Sequence, residues 1–355
     1  MKDTDLQTAL AEAQMAYTEL RLQDARSAYE DATVAVPDSY EAHLGLARTL
    51  MRMRQQAPAA TAAYRCIELD PKRFEGHLAV GVLQFLIDDL VGAQESLGRA
   101  RELAPEDPEA YITLAQVLAD THEFDTAEEQ LADARERIAA LPIESDRLAL
   151  EAMAFHAETY LRLAQGDNAR AIEAAHEVID LRDANPYAAC LAYSNLGILS
   201  TRAKQYDQAI EYLQNAFEMN PFFYRAGSAL GRLLVLRKQP YRAAEILAQV
   251  VATAPATNGR DRYAYAVALA KSKQRAEART QFQQALTEGL TGIDVLTARW
   301  QMVWLSEWGR YLVFALVMAG VLAWILVTQP SGQSLVLLPI LAVIVFLQWI
   351  WNHRR

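Results

Sequence analysis

The sequence predicts an all-α chain in which about eight helix pairs stack into a right-handed superhelical solenoid, followed by a two-helix transmembrane hairpin. Three observations carry that prediction. Small residues recur with a 34-residue period, prolines recur between the periods, and two uncharged apolar stretches lie near the C-terminal end.

The 355 residues are 52% hydrophobic with only 15 Gly and 12 Pro, a composition that suits an ordered helical protein and excludes disorder. Cys66 and Cys190 stand far apart with no CxxC or Cys/His cluster, so neither a disulfide framework nor a zinc site is expected, only buried thiols in a reducing compartment. The opening MKDTDLQTALAEAQ lacks the basic flank, apolar stretch and small-residue cleavage site of a secretory signal. Residues 1–150 carry 14 Lys+Arg against 28 Asp+Glu, whereas residues 151–292 carry 16 against 14. The first half is strongly acidic, which argues against nucleic acid as a partner.

Ala25, Ala59, Ala93 and Ala127 are 34 residues apart, and Ala171, Ala209, Ala243 and Ala278 continue the series with one disturbance in the middle. Twelve residues before these anchors stand Ala13, Ala47, Gly81, Ala115, Thr159, Gly197, Gly231 and Ala266; seven after them stand Ala32, Cys66, Ala100, Ala134, Val178, Ala216, Val250 and Ala285. Small side chains at fixed places let two antiparallel helices approach closely where they cross. Pro37, Pro71, Pro105, Pro221 and Pro255, twelve residues past their anchors, end the second helix of each pair and open the turn to the next. The reading is units one to four over 1–140, acidic, then units five to eight over 141–292 after an irregular junction around Leu141 to Arg147.

The pattern is clearest in YSNLGILSTRAKQYDQAIEYLQNAFEMNP (193–221) and AYITLAQVLADTHEFDTAEEQLADA (110–134). It resembles the tetratricopeptide repeat family over roughly residues 4 to 292. The fifth unit departs from the pattern, with Glu158 and Thr159 in place of Leu and Gly/Ala, and longer helices or a bend are expected there. The resemblance implies a curved array whose first helices line a concave groove that takes peptides or helices. Aligning the units places Glu41, Arg48, Glu75, Phe85, Glu109 and Gln116 on that groove in the acidic half, and Asn195, Arg225, Arg232, Arg260 and Tyr263 beyond it. Some family members grip a chaperone's terminal carboxylate with a clamp of Lys, Asn and Arg. Here Asn195 and Arg225 fill two clamp places, but Ala229 replaces the clamp Arg and the preceding unit offers His156 and Tyr160, so most of the clamp is missing.

His43 and His77 fall at equivalent places in neighbouring units where Tyr111 and Tyr193 stand elsewhere, which reads as packing and not metal binding, since no third ligand follows from the spacing. No GxxxxGK[ST], HExxH, GxSxG or strand-borne GxGxxG occurs. No catalytic residue, cofactor or metal is therefore expected, and the chain is read as a non-enzyme.

Residues 293–310 form an amphipathic helix on which Trp300, Trp304 and Trp308 recur at i, i+4 and i+8, as expected at a membrane interface. Residues 311–328 and 335–351 are read as two transmembrane helices joined by a polar turn. Ala315, Ala319 and Ala323 give the first a small-xxx-small seam for another helix of the hairpin or of a partner complex. Arginines flanking both predict that the repeats and both termini face the cytoplasm, as in a bacterial inner-membrane protein. The expected partners are proteins, a lipid bilayer and the transmembrane helices of a larger complex. The expected function is a membrane-anchored scaffold, acting as an assembly factor or accessory subunit; a permanent structural subunit and a chaperone-tail receptor are the alternatives.

Overall fold

The computed structural model describes residues 3–253 and 259–306 and single positions between 309 and 320. Seventeen helices are present among the described residues. The chain divides into two compact units, Met1–Pro255 and Ala256–Arg355. Unit 1 contains seven antiparallel pairs: α1 (Asp3–Thr18) with α2 (Leu22–Ala35), α3 (Tyr40–Arg52) with α4 (Gln56–Leu69), α5 (Phe74–Leu86) with α6 (Leu90–Leu103), α7 (Pro108–Asp120) with α8 (Phe124–Ala139), α9 (Glu144–Gln165) with α10 (Asn168–Asp180), α11 (Pro186–Arg202) with α12 (Tyr206–Met219), and α13 (Tyr224–Leu236) with α14 (Pro240–Thr253). Unit 2 contains an eighth pair, α15 (Arg260–Lys271) with α16 (Arg275–Thr287), and the single helix α17 (Ile293–Leu305).

The recurring small residues sit where the helices cross. All eight anchor alanines are 0% exposed, and the small residues twelve before and seven after them are buried as well. Each glycine at the earlier position faces a bulky side chain sixteen residues on. A Cβ at Gly81 would lie 2.6 Å from Leu97 Cγ, at Gly197 2.5 Å from Leu213 Cγ, and at Gly231 2.4 Å from Leu247 Cγ. Absence of a side chain on one helix thus makes the socket for a leucine on the next. The fifth pair exchanges the sizes: Thr159 stands at the small position and Ala175 at the large one, and both are 0% exposed. Its first helix is also the longest, 22 residues, and the turn 140–143 precedes it.

Two kinds of turn alternate. Between the helices of every pair one residue adopts a left-handed conformation: Leu20, Arg54, Asp88, His122, Gly166, Lys204, Lys238 and Lys273, with φ between 58° and 80°. The next N–H then reaches the carbonyl five residues back, as in Arg21 N to Ala16 O (2.8 Å) and Gln55 N to Leu50 O (2.9 Å), closing the orphan carbonyls of the first helix. Only the fifth pair uses glycine there. Between pairs, the proline turns are tied down from the following helix: His43 Nε2 lies 2.8 Å from Pro37 O, His77 Nε2 3.0 Å from Pro71 O, and Tyr111 donates to Pro105 O at 3.0 Å. The two histidines are thereby turn fasteners.

Among the described residues no helix is long and apolar enough to cross a membrane. This overturns the integral-membrane placement with the repeats facing the cytoplasm at a bacterial inner membrane, and it leaves the bilayer and transmembrane partners that went with it unsupported. That expectation rested on apolar composition, tryptophan spacing and flanking arginines, none of which separates a span from another stretch that avoids water. α17 has 13 residues, about 20 Å of helix, and carries Asp294 and Arg299. Trp300 and Trp304 lie exposed on it, and Ala315 and Ala319 are exposed. Trp308, Ala323, most of the first stretch, 311–328, and all of the second, 335–351, lie outside the described residues.

Candidate functional site: the inner surface of unit 1

In unit 1 successive first helices pack against one another, while the second helices α2 to α12 each pack between the first helices of their own and the following pair. The first helices therefore line the inside of the array. Along α3, α5 and α7 this lining is an ion-pair ladder. Arg73 Nη1 donates to Glu41 Oε1 at 2.7 Å and Nη2 to Glu75 Oε1 at 2.8 Å, with the guanidinium 3.8 Å from the centre of the Tyr40 ring. Arg48 lies 3.8 Å from Glu109 Oε2, two pairs further on. The hydrogen bond from Arg73 holds the Glu41 carboxyl below its ordinary pKa. Asp107 caps α7 by accepting the Glu109 N–H at 2.9 Å, yet its pKa is pushed up to about 6, first by burial and then by Glu109.

Deeper along the array α5 and α9 approach each other. The Phe85 and Tyr160 rings meet edge to face with centroids 5.9 Å apart, and Tyr160 donates to Asp120 Oδ1 and Oδ2 at 2.7 and 2.8 Å. Burial first, then that hydrogen bond, raises the Tyr160 pKa, while the Arg225 charge on α13 works against the rise. His156 is 7% exposed, its Nδ1 has no partner, and burial lowers its pKa to about 4. It is neutral at pH 7 and supplies none of the positive charge that a carboxylate clamp requires.

The residues assigned to the groove from the sequence thus divide. Arg73, which was not anticipated, bridges Glu41 and Glu75, and Arg48 pairs with Glu109; Phe85 meets Tyr160 edge to face, and Gln116 is buried. Asn195 is half-buried with its Nδ2 unpartnered, and Arg225 and Arg232 are exposed. Arg260 and Tyr263 belong to unit 2, where Arg260 is exposed and Tyr263 packs edge to face on Phe282 at 5.6 Å. A contact between distant pairs also went unread: the turn after α3 reaches Tyr17, Tyr187, Asn220 and Phe223. No periodic signal marks it, because its members occur once each. Arg73 had a signal, since it immediately precedes α5 beside Glu75.

Tetratricopeptide repeat family models match residues 10–73, 88–142 and 201–260. This is a tetratricopeptide-repeat chain. The stretch left unmatched in the middle of the tetratricopeptide array contains the fifth pair, where the packing sizes are exchanged. Among solved structures, a chain of the APC/C hetero-tetramer Cut9–Hcn1 aligns with a TM-score of 0.55 at 16% identity, covering 86% of this chain and 57% of that one. The tetratricopeptide-repeat chain thus spans little more than half the length of that relative, and the likeness is one of fold. The pilF protein of Pseudomonas aeruginosa aligns with a TM-score of 0.49 at 16% identity, covering 64% of this chain and 96% of that one. A tetratricopeptide repeat protein from Parabacteroides merdae aligns at 0.46 and 11% identity, covering 75% and 99%. No curated protein matches the sequence.

Proposed function

We propose that this chain is a non-enzymatic scaffold that holds a segment of a protein partner against the inner surface of unit 1, and that it serves as an assembly factor or accessory subunit. The observation that carries this reading is the change of charge along the first helices: Glu75 and Glu109 on α5 and α7, then exposed Arg225 and Arg232 on α13. A partner segment with a basic end and an acidic end fits that order by complementarity, which fixes direction and partner choice more than it adds affinity. The APC/C relative comes from a hetero-tetramer.

The test is capture of partners from native extract by the full chain and by Arg225→Glu combined with Arg232→Glu. Loss of specific proteins with unchanged helicity supports the reading. Identical capture profiles refute a role for this surface. Partners that exchange during the wash identify an assembly factor, and fixed stoichiometry identifies an accessory subunit.

A further inference from the structure

The turn joining α3 to α4 touches parts of unit 1 that are remote in sequence. The Arg52 guanidinium lies 3.7 Å from the centre of the Tyr17 ring and 4.4 Å from that of Tyr187, so one cation is shared by the first and sixth pairs. Its Nη1 donates to Tyr17 O at 3.0 Å, and its own carbonyl accepts from Asn220 Nδ2 at 3.3 Å across a separation of 168 residues. Arg54, left-handed at φ 58°, holds its guanidinium 5.0 Å from the Phe223 ring. Met53 between them and Asn220 opposite are each only 1% exposed.

Neither arginine has a carboxylate within ion-pair distance among the described residues, whereas Arg48, Arg73 and Arg162 on the same unit each hold one. Burial raises the pKa of both Tyr187 and Cys190, and the nearby charges of Arg54 and Arg52 oppose the rise. The Arg52 guanidinium is held between two aromatic faces and the Tyr17 carbonyl, and that of Arg54 lies over the Phe223 ring. A carboxylate offers a guanidinium a charged, two-pronged acceptor that a ring cannot match. An acidic group arriving at this turn would draw the cations off their rings and free the contact between distant pairs.

We propose that the α3–α4 turn is a latch: at rest it closes unit 1 on itself through Arg52 and Arg54, and an acidic segment of a partner protein opens it by taking both guanidinium groups from their aromatic rings. The latch rests on the scaffold reading, since the acidic segment that opens it belongs to a protein partner of unit 1. The acidic first half of the chain repels such a segment at a distance, but at physiological salt that repulsion is screened beyond about 8 Å, leaving contact chemistry to decide.

The experiment uses the full chain, a fluorescent hexaglutamate peptide and a hexalysine control, with binding read by anisotropy and opening by amide hydrogen exchange over residues 50–56 and 217–224. Hexaglutamate is expected to bind and to speed exchange in both segments. Arg52→Glu with Arg54→Glu is expected to speed exchange without peptide and weaken binding at least tenfold, while Arg52→Lys with Arg54→Lys keeps binding within a few-fold and guards against misfolding. The latch is refuted if hexaglutamate leaves exchange unchanged, if the double Glu variant binds as tightly as the parent, or if hexalysine acts equally. Partner capture that persists alongside unchanged exchange removes the latch and leaves the scaffold standing.

Discussion

Gly166 occupies the one left-handed turn in the array where the sequence supplies a residue suited to it, with φ at 80° and nothing within 4 Å of a Cβ placed there. Gly166→Ala therefore isolates backbone cost from packing, and a loss of about 1–2 kcal/mol in urea unfolding is expected. At His156 the relevant cost is that of charge. Its pKa is about 4 when folded against an ordinary 6.5, so its contribution to stability is complete above pH 6.5 and is lost as pH falls towards 4. The loss amounts to about 3 kcal/mol. Asp107, raised to about 6, works the other way: its contribution is present below pH 4 and lost as pH rises through 6. Because Asp107 is partly exposed and screened by water while His156 is buried, the histidine prevails. Stability is expected to fall between pH 6.5 and 4.5, and His156→Leu to flatten that decline in denaturant titrations at the two pH values.

At the scale of helices, packing rests on matched sizes across each crossing. A methyl group at Gly231 would stand 2.4 Å from Leu247 Cγ, so Gly231→Ala is expected to destabilise the chain by about 1–3 kcal/mol. The fifth pair shows the remedy, with Thr159 at the small position and Ala175 at the large one, both buried. Gly231→Thr combined with Leu247→Ala copies it, and the double variant is expected to be at least 1 kcal/mol more stable than the sum of the single changes implies. Additive losses in a double-mutant cycle would show that the two positions do not share one space.

The whole chain comprises two compact units, Met1–Pro255 and Ala256–Arg355. Stacked repeats owe their cooperativity to nearest-neighbour interfaces, and the latch adds one contact across 168 residues to unit 1. Two transitions are expected in chemical unfolding of the full chain followed by circular dichroism. A chain ending at Thr253 is expected to reproduce one of them with its midpoint unchanged. A single transition, or a shifted midpoint, would mean that the division is not energetic.

Repetition made most of the fold readable from sequence: eight pairs, their crossing residues and the proline turns each leave a mark at a fixed interval, because the same packing problem is solved eight times. The size exchange at Thr159 and Ala175 was visible as two departures, and only the structure shows both buried in the same pair. Alignment names candidate groove positions, but it does not give the partners of Arg48 and Glu41, since an ion pair depends on which side chains curvature brings within 4 Å. The membrane expectation failed for a related reason, as composition records what avoids water and not what covers it. Sequence by itself determined the local, periodic contacts; tertiary structure alone decided the singular ones, above all Arg52 between Tyr17 and Tyr187, because a contact made once between remote residues leaves no period to read.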